Sequence, residues 1–468
     1  MPHKTSLVWF RRALRVTDNR ALRTALAASE SVVPVFVIDP AILKRPDTGE
    51  RRVAFLWAGL RALDTELRQR GSALIVRCGE PAQELARLAE ETGATALYYG
   101  QEYEPAGKAR DQRVVEALRN LESVACRDHL LAEPESLATK AGTPYTVFTP
   151  YFRLWQEQAF LAPVAAPERI PTPQGIASEP LPESVSVLPA GERAAQEQLQ
   201  GFARAALRAY DTERDFPALP GTSQLSAYLK LGMLSPRQAL GAARQCREQL
   251  PVDRRAGVDA WVRQLAWRDF YYQILVHFPH VATGSFKPKF DALAWPNDPT
   301  LYAAWERGET GYPIVDAGMR QLAQTGTLHN RVRMIVASFL TKDLLCDWRL
   351  GERYFMQQLL DGDQAANNGG WQWAAGTGTD AQPYFRIFNP VSQGEKFDPD
   401  AQYVKLWCPE LKRVPAKWAH KPWELSRNEQ AAVNCVLGKD YPQRIVEHSE
   451  QRARALALYK MVAKEDEE

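Results

Sequence analysis

The first 130 residues alternate short apolar runs with helical segments, and this alternation restricts the fold more than any other feature of the sequence. Runs of strand character occupy residues 6–10, 32–39, 73–78, 94–99 and 123–127. Helical composition covers residues 19–29, 53–69, 81–91 and 107–120. Strands that alternate with helices form a parallel sheet whose two faces are covered. We therefore predict an α/β N-terminal domain with a Rossmann-like parallel sheet over residues 1–130.

The predicted helix at residues 53–69 has the clearest amphipathic pattern, with Leu56, Leu60, Leu63 and Leu67 on one face. Gly71 follows it as a stop signal. No glycine occurs before Gly49, so a Gly-x-Gly-x-x-Gly fingerprint cannot follow the first strand. The sequence thus argues against a nicotinamide-dependent dehydrogenase.

The chain changes character after the predicted sheet. Prolines at positions 163, 167, 171, 173, 180, 182 and 189 make residues 162–200 typical of a connecting segment. We predict an interdomain linker over residues 131–200. From residue 201 to residue 468 we find helical segments and loops without strand alternation, which predicts an all-α second domain.

Length and composition exclude several classes of protein. A chain of 468 residues is long enough for two or three domains, and its 45% hydrophobic and 24% charged residues are typical of a soluble globular protein. The formal net charge is +2, so any nucleic-acid surface must be a local patch. No signal peptide and no run of about 18 apolar residues is present, so we expect no membrane span.

The six cysteines contain no Cys-x-x-Cys pair, and the seven histidines form no ligand pair at helical spacing. This argues against a disulfide framework and a zinc ribbon, and it fits a reducing cytoplasm. We therefore predict a cytoplasmic protein without a metal site.

Residues 361–373 concentrate unusual chemistry in a short segment: two aspartates, three glycines, two adjacent asparagines and two tryptophans. Glycines let the backbone turn sharply or approach a ligand closely. Carboxylates and amides offer directed hydrogen bonds, and tryptophans offer large flat faces. The composition favours a polar, planar ligand, and the alternative is a polar loop followed by two core tryptophans.

Residues 361–373 closely resemble the flavin-binding segment of the photolyase/cryptochrome family, and residues 310–316, 328–334 and 383–390 resemble other motifs of that family. Within the family, the chain is most similar to bacterial class I cyclobutane pyrimidine dimer photolyases. The resemblance implies FAD as the cofactor, active in its reduced anionic form. It also implies that residues 201–468 form the FAD-binding and DNA-binding catalytic domain.

Residues 221–226 open a predicted helix, and hydroxyls at a helix N-terminus suit a phosphate, although a plain N-cap is the alternative. The resemblance implies that Arg333 and Asp361 form an ion pair beside the flavin ring, where positive charge stabilises the anion. The flavin contacts that the resemblance implies are Tyr210, Thr222, Ser223, Gln224, Leu225, Ser226, Trp261, Arg333, Asp361, Gly362, Asp363 and Asn367.

A predicted helix at residues 258–275 carries Gln264, Trp267, Arg268 and Tyr271 on one face. An aromatic face beside an amide and a guanidinium suits an extruded base, and aromatic core contacts are the alternative. The resemblance implies that this face contacts damaged DNA. The further DNA contacts that it implies are Asn330, Arg331, Met334, Trp373, Arg386 and Gln393.

Asn330, Arg333 and Met334 are predicted to share a second helical face, where soft, apolar Met334 could cover a pyrimidine pair. The resemblance assigns the catalytic roles to Asn367, Gln264 and Met334, with Asn367 facing the flavin N5. A neutral amide at that position favours an enzyme, because plant-type cryptochromes have aspartate there.

Gln264 departs from the family pattern, because photolyases that repair cyclobutane dimers usually carry glutamate there. Glutamine keeps hydrogen bonding but has no charge or acidic proton, so we expect weakened repair. Glutamine at this position also occurs in relatives that repair (6-4) lesions and in relatives that act in light signalling. Asn330, where (6-4) enzymes usually have a second histidine, favours the cyclobutane dimer. Thr327 replaces a tryptophan that is common in dimer photolyases.

Trp371, Trp348 and Trp295 match the family's chain of electron carriers from flavin to surface, and three core tryptophans are the alternative. Residues 386–421 hold seven Lys or Arg against four Asp or Glu, with aromatic residues interleaved. That composition suits a phosphate backbone, and a solvated surface is the alternative.

The resemblance also implies a second, light-harvesting chromophore in the N-terminal domain, either a deazaflavin or methenyltetrahydrofolate. Gly100 stands where folate-type relatives usually have asparagine, and Gln101, Glu102, Glu104 and Pro105 look more like deazaflavin-type relatives. A domain with no chromophore is the remaining alternative.

We predict light-driven repair of cyclobutane pyrimidine dimers by electron transfer from excited reduced FAD to a flipped-out dimer, catalysed by a carbon–carbon lyase. The alternatives are a (6-4) photolyase and a blue-light-sensing cryptochrome. The short charged segment at residues 464–468 favours the enzyme over a cryptochrome with a long tail. A generic flavin oxidoreductase lacks a nicotinamide site. We expect UV-damaged DNA as the partner, no obligate protein partner and a monomer.

Overall fold

The computed structural model describes residues 2–381 and 383–464, so most of the charged segment at residues 464–468 lies outside the described residues. The chain forms two compact units. The first comprises Met1–Asp211, Ser223–Pro279 and Leu360–Ala365, and the second comprises Thr212–Thr222, His280–Leu359 and Ala366–Glu468. The domain boundaries at residues 130 and 200 stay a prediction.

The first unit contains a five-stranded, fully parallel sheet in the order β3-β2-β1-β4-β5. The strands are β1 (His3–Trp9), β2 (Ser29–Ile38), β3 (Ile75–Cys78), β4 (Ala96–Gly100) and β5 (Glu122–Cys126). In the central strand, Leu7 lies opposite Val33 on one side and Leu97 on the other. The strand order reverses between β1 and β4, which places the switch point of the sheet at their carboxyl ends. The predicted Rossmann-like parallel sheet is confirmed.

Helices connect these strands, as the alternation of the sequence predicts. They are α1 (Arg20–Ala28), α2 (Pro40–Leu43), α3 (Glu50–Arg68), α4 (Pro81–Thr92) and α5 (Pro105–Ala117). On α3, Leu60, Leu63 and Leu67 are buried, whereas Leu56 is only half-buried at the rim of the apolar face. Truncating one of the buried leucines to alanine typically costs about 2–5 kcal/mol.

Residues 157–191 contain neither helix nor strand, which fits their proline content. The helices that precede and follow this stretch are α6 (Phe148–Gln156) and α7 (Glu192–Ala205). Helix α7 begins inside the predicted linker and buries Ala195 and Leu199. The next helices are α8 (Tyr210–Glu213), α9 (Ser226–Leu231), α10 (Pro236–Glu248) and α11 (Ala256–His277).

The remainder of the described chain is helical, and no strand follows β5 within the described residues. Its helices are α12 (Pro299–Arg307), α13 (Pro313–Thr325), α14 (Asn330–Ser338), α15 (Trp348–Gln358), α16 (Gln364–Ala375), α17 (Pro390–Phe397), α18 (Gln402–Trp407), α19 (Ala416–Ala419), α20 (Arg427–Ala432) and α21 (His448–Lys464). A π-helical turn, Phe339–Asp343, extends α14. The predicted all-α character of this part of the chain is confirmed.

Helices α12 to α16 share one buried apolar core in the second unit, which includes Trp305, Trp348 and Trp371. None of the helices in the described part of the chain has both the length and the apolarity that crossing a membrane requires. In the same residues, no group of three His, Cys, Asp or Glu side chains is placed to hold a metal ion.

Candidate functional site

Within the first unit, the predicted phosphate-binding residues Ser223, Gln224, Leu225 and Ser226 form a loop that leads into α9. Gln224 has a φ of 51°, and the Gln198 side-chain amide donates a hydrogen bond to the Ser223 carbonyl at 3.0 Å. Leu225 occupies the N-cap of α9 without a side-chain hydrogen bond to the helix. The loop therefore combines hydroxyls with the backbone N–H groups of a first helical turn, a donor set that suits an anion.

The predicted flavin contacts Tyr210 and Trp261 lie against the same aromatic ring. The ring centroid of Phe202 is 6.1 Å from that of Tyr210 and 5.4 Å from that of Trp261. Trp261 is buried in α11, and Tyr210 begins α8. The structure thus groups two predicted contacts around a residue that the sequence analysis did not single out.

Asp363 is the buried acidic residue of the predicted flavin segment in this unit. The Lys230 ammonium lies 3.0 Å from its carboxylate, and the Tyr272 hydroxyl donates to it at 2.5 Å. Burial alone would raise the pKa of Asp363, but the charges of Lys230 and Arg12 hold it well below its usual range. Asp363 is therefore an anion at neutral pH, fixed by a cation and a phenol.

Asp361 and Gly362 precede this anion, and Gly362 is buried. The charge of Asp361 acts on Arg52, whose pKa is lowered by burial and raised in part by that charge and by Asp47. Arg333, the predicted ion-pair partner of Asp361, belongs to the second unit. The ion pair between them stays a prediction.

The predicted lesion-binding face of α11 is centred on Trp267. The ring of Phe148 lies parallel to Trp267, with centroids 3.7 Å apart and an interplanar angle of 5°. Tyr271 lies 5.4 Å from Trp267 in a tilted arrangement. The Gln264 side-chain amide donates to the Ala260 carbonyl one turn earlier at 3.2 Å. The structure keeps Gln264, Trp267 and Tyr271 on one helix, with the central ring supported from behind.

Arg268 departs from this arrangement. Its guanidinium donates to the His129 carbonyl at 2.7 Å and lies 5.3 Å from the centroid of the Tyr272 ring. It also pairs with Asp269 at 3.8 Å, and only 14% of its side chain is exposed. Burial raises the pKa of Asp269 to about 6, against the charge of Arg268, which lowers it. The long Arg268 side chain thus turns toward buried partners, and helical spacing alone did not predict this position of its guanidinium.

Within the second unit, α14 carries the predicted face of Asn330, Arg333 and Met334. Asn330 Nδ2 lies 3.8 Å from Met334 Sδ, and Arg333 Nε donates to the Leu328 carbonyl at 2.9 Å. The intervening residues Val332 and Ile335 are buried, so the three predicted residues lie on the more accessible side of the helix.

His329 caps α14 by accepting a hydrogen bond from the Arg331 backbone N–H at 3.2 Å. Burial lowers the pKa of His329 to about 4, so it is neutral at physiological pH. The Arg331 guanidinium pairs with Asp215 at 3.0 Å and lies 4.3 Å from the centroid of the Phe397 ring. Arg331, a predicted DNA contact, is therefore already paired within the second unit. Thr222, a predicted flavin contact, also belongs to the second unit and is half-buried.

Asn367 lies on α16 and is fixed by the backbone of α15. Its side-chain amide donates to the Glu352 carbonyl at 2.9 Å, and the neighbouring Asn368 amide donates to the Glu352 carboxyl group at 3.0 Å. Burial raises the pKa of Glu352 to about 7, although the hydrogen bond from Asn368 and the Arg349 and Arg353 charges lower it. A carboxyl group that titrates near neutral pH thus adjoins the amide predicted to face the flavin N5.

The three predicted electron carriers differ in their surroundings. Trp371 is buried against Phe355 at 4.9 Å and Trp305 at 6.1 Å, both edge-on. Trp348 is buried beneath the Arg349 guanidinium, 4.9 Å from its ring centroid. Trp295 is half-buried, 6.0 Å from Tyr459. The order of electron transfer along them stays a prediction.

The remaining predicted DNA contacts of this unit are Trp373, Arg386 and Gln393. Trp373 is partly buried against the apolar core, and Arg386 is exposed. In the part of the chain that the structure describes, no donor reaches the buried side-chain oxygen of Gln393. An unsatisfied acceptor of this kind suits a ligand that brings its own donor.

At the switch point of the sheet, the Arg11 side chain covers Trp9, with its guanidinium carbon 4.2 Å from the ring centroid. It pairs with Asp111 and donates to the Gly100 carbonyl. The crevice behind it has a volume of about 20 Å³. That is room for about one water, whereas small-molecule pockets measure about 300–1,000 Å³.

The two acidic residues noted at the end of β4 make ion pairs. Arg12 lies 3.3 Å from Glu102 and 2.6 Å from Glu104. Lys230 lies 3.1 Å from Glu104 on the other side. Burial would raise the pKa of Glu104, but Arg12 and Lys230 lower it to about 2. The antenna role suggested by this stretch stays a prediction.

Two family models match most of the chain. One, described as the FAD binding domain of DNA photolyase, matches residues 261–461, and the other, described as DNA photolyase, matches residues 6–173. The chain belongs to the DNA photolyase family. A curated relative from Synechococcus sp., named deoxyribodipyrimidine photo-lyase, is 41% identical over 97% of this chain and 96% of its own length.

Solved photolyase-family structures share the fold. A class III photolyase from Agrobacterium tumefaciens is 40% identical, with a TM-score of 0.94 over 99% of this chain and 98% of its own. A cryptochrome from Synechocystis sp. is 30% identical, with a TM-score of 0.90 over 97% of this chain and 99% of its own. The predictions of the photolyase family and its enzyme class are confirmed. The class I resemblance is not resolved, because one solved neighbour is a class III enzyme.

Several residues around these photolyase motifs escaped the sequence analysis: Phe148, Arg12, Lys230 and Glu352. Each acts on a predicted residue that is distant in sequence, so no local spacing marks it. Phe148 had one weak signal, since it lies in an aromatic-rich run at residues 145–155. No feature of the sequence marked Lys230, because a lysine on a short helix is ordinarily exposed.

Proposed function

We propose that this photolyase-family protein uses FAD and light to repair cyclobutane pyrimidine dimers in DNA. The observation that carries the proposal is the support of Trp267 by Phe148 at 3.7 Å, one turn from Gln264 on α11. A flipped base needs a rigid aromatic face and hydrogen bonds to its edge. Trp267 offers the face, and the Gln264 amide offers both a donor and an acceptor.

The residues predicted to hold FAD fit it in each unit taken separately. The first unit offers hydroxyls and backbone N–H groups at Ser223 and Ser226, and buried aromatic surface at Trp261. The second offers the Asn367 amide, held by the Glu352 carbonyl at 2.9 Å. Bound FAD in its reduced form supplies the electron that light drives into the dimer. The protein positions the reactants and excludes water.

The state of His329 favours the cyclobutane dimer over the (6-4) lesion. With its pKa lowered to about 4 by burial, His329 is a neutral imidazole at physiological pH, and it lacks the acidic imidazolium proton that a general acid would give. The next residue is Asn330, which has no acidic proton either. Splitting a cyclobutane ring by transferring and returning an electron needs no net proton transfer, so a site without an acid suffices.

The second candidate function is blue-light signalling without repair, because a cryptochrome shares the fold with a TM-score of 0.90. Asn367 argues for the enzyme, since its neutral amide has no acidic proton to give to a reduced anionic flavin. Repair decides between the two functions, whereas flavin binding and photoreduction are expected of both.

The proposed electron supply runs through Trp371, Trp348 and Trp295, because indoles are among the easier side chains to oxidise. Trp371 and Trp348 are buried and Trp295 is half-buried, which supports a path that ends near the surface. This path would restore the reduced cofactor after it has been photo-oxidised.

A second chromophore, a deazaflavin or methenyltetrahydrofolate, is proposed at the carboxyl edge of the sheet, where open α/β folds bind ligands. Its planar ring can enter only if Arg11 leaves Trp9, because the closed crevice has a volume of about 20 Å³. The chromophore's absorption after extraction from the purified protein would identify it.

The proposed partner is UV-damaged DNA, and the protein is proposed to act as a cytoplasmic monomer. The proposed contacts outside the lesion face are exposed Arg386 and the side-chain oxygen of Gln393, which no donor among the described residues reaches. Phosphate contacts make binding salt-sensitive, and flipping a base costs a few kcal/mol, least at a damaged and poorly paired site.

The test is repair of oligonucleotides that carry one defined lesion, with reduced FAD bound, under blue light and in the dark. We expect light-dependent loss of the cyclobutane dimer and none of the (6-4) lesion. Repair of the (6-4) lesion alone would overturn the choice of substrate. Photoreduction of the flavin without repair of either lesion would favour signalling.

A further inference from the structure

Helix α9 and the segment that ends at Asp363 both carry predicted flavin contacts in the first unit, and one side chain connects them. Lys230 projects from α9, four residues after Ser226, and its ammonium lies 3.0 Å from the Asp363 carboxylate. The side chains of both residues are 10% exposed. The two residues are separated by 133 positions in the sequence, so the contact is purely tertiary.

We propose that Lys230 is a positioning residue for the flavin, which fixes the segment ending at Asp363 relative to the loop before α9. This inference rests on the proposed function, because it assumes that both segments contact FAD. The loop is predicted to hold the phosphates, and the segment is predicted to lie at the ring. Lys230 therefore sets the separation between the two parts of the dinucleotide site.

The surroundings of Lys230 hold its charge in one place. Its ammonium lies between Asp363 at 3.0 Å and Glu104 at 3.1 Å. Glu104 is itself held by Arg12 at 2.6 Å, and the Arg12 guanidinium lies 4.0 Å from Asp363. The Arg12 side chain also donates to the Tyr272 hydroxyl at 3.0 Å, and that hydroxyl donates to Asp363. Since these side chains are largely buried, solvent screens the charges weakly.

Helix α9 does not need Lys230 to stay in place. The Leu231 carbonyl accepts a hydrogen bond from the Leu14 backbone N–H at 3.2 Å. Gly232 ends the helix with a φ of 66° and lies so close to the Arg12 backbone that an added Cβ would be 1.8 Å from the Arg12 carbonyl oxygen. Backbone contacts therefore anchor α9 to the segment after β1. Removing the ammonium leaves the helix anchored, but the buried Asp363 carboxylate loses its 3.0 Å partner and keeps Arg12 only at 4.0 Å, while Arg12 stays 2.6 Å from Glu104.

Loss of the Lys230 ammonium should weaken FAD binding in particular. Without Lys230, Asp363 loses its tie to α9, and Arg12 at 4.0 Å only partly offsets its repulsion from Glu104. The segment that carries Asp361 and Gly362 then shifts, so FAD meets only one of its two contact regions in the right position. We expect the dissociation constant of FAD to rise at least about tenfold, within the range of ordinary coupling between sites. The chain should stay folded without FAD, because α9 keeps its backbone anchors, but its thermal unfolding midpoint should fall, because Asp363 loses a buried partner.

The experiment measures FAD binding and the thermal unfolding midpoint of the FAD-free full chain for wild type, Lys230→Met and Lys230→Arg. Lys108→Met, at an exposed position on α5, is the matched control. We expect Lys230→Met to weaken FAD binding at least about tenfold, in a chain that is still folded without FAD at the temperature of the titration. Lys230→Arg, which keeps the charge, should recover most of the affinity, and Lys108→Met should match wild type.

A double-mutant cycle with Asp363→Asn separates positioning from general damage. If Lys230 acts through Asp363, the double variant should bind FAD about as well as Asp363→Asn alone. Unchanged affinity in a folded Lys230→Met chain would overturn the inference, and so would a double variant that binds FAD much more weakly than Asp363→Asn alone. If Lys230→Met does not fold, Glu104→Gln tests the same cluster, since removing the competing carboxylate should leave FAD affinity intact or improve it. A wild-type chain that binds no FAD would overturn the proposed function itself.

Discussion

The ring of Phe148 lies flat against Trp267, 3.7 Å away and within 5° of parallel, although the two residues lie on different helices. The Trp267 ring, which we propose meets a flipped base, is therefore supported by a second ring. Aromatic pairs of this kind contribute about 0.5–1.5 kcal/mol beyond the area that they bury.

Replacing Phe148 with leucine should weaken binding of dimer-containing DNA by up to about tenfold, because Trp267 loses the ring that orients it. The measurement is a binding titration with a thymine-dimer oligonucleotide in the dark. Phe160→Leu is the control, since Phe160 packs on Trp155, 4.6 Å away. Equal effects of the two variants would show that Phe148 has only a core-packing role.

Glu352 should make the protein less stable as the pH rises through neutrality. Its pKa is raised from 4.5 to about 7, so the folded state binds more protons than the unfolded state between those values. The Glu352 contribution to the free energy of unfolding should fall by about 3 kcal/mol at most from pH 4.5 to above pH 7. Urea unfolding of wild type and Glu352→Gln at pH 5 and pH 8 measures it, and a pH-independent difference would contradict the shift.

The hydrogen bond from Asn368 to the Glu352 carboxyl group, next to Asn367 in the chain, should carry the same titration to the flavin. We expect the absorption of the bound flavin, or the rate of its photoreduction, to change with a midpoint near pH 7 in wild type. The step should be absent in Glu352→Gln, which keeps the hydrogen-bonding geometry. A step that persists in the variant would assign it to another group.

Gly351 should be required for electron supply through Trp371. A Cβ at this position would lie 2.1 Å from the Trp371 ring, so Gly351→Ala must move a buried tryptophan. We expect slower photoreduction of the oxidised flavin and a stability loss of about 1–3 kcal/mol. Repair with chemically reduced flavin should be largely retained. Gly201→Ala on α7 is the control, because an added Cβ there meets nothing within 4 Å.

Arg386 and Arg331 should differ in how they affect DNA binding. Arg386 is exposed, so Arg386→Met should lower the slope of log affinity against log salt by about 0.9, the value for one phosphate contact. Arg331 pairs with Asp215 at 3.0 Å, so Arg331→Met should leave that slope nearly unchanged. Equal slope changes would place Arg331 on the DNA backbone after all.

Local pattern was sufficient to predict the sheet and the main helices. The alternation of apolar runs predicted all five strands. The leucine spacing of α3 correctly predicted burial of Leu60, Leu63 and Leu67, but Leu56 is only half-buried, and the spacing did not predict that Phe55, Trp57 and Gly59 are buried too. Hydrophobic periodicity and secondary-structure propensity are set by a few neighbouring residues. They are sufficient to predict these strands and helices because each element buries one regularly spaced set of side chains.

The same reasoning fails where a side chain chooses a partner that is distant in sequence. Spacing along α11 predicted one face for Trp267, Tyr271 and Arg268, but the Arg268 guanidinium reaches His129, 139 positions away. Lys230 and Glu352 depend likewise on distant carboxylates and amides. A long, flexible charged side chain can turn to either side of its helix, and the tertiary charge cluster decides which.

The most direct measurement is the repair of a thymine-dimer oligonucleotide by the wild-type protein with reduced FAD under blue light, beside a dark control and a Gln264→Glu variant. We predict light-dependent loss of the dimer in wild type and faster loss in Gln264→Glu, which restores the carboxylate usual in dimer photolyases. Photoreduction without dimer loss in wild type, whether or not the variant repairs, would contradict the proposed function.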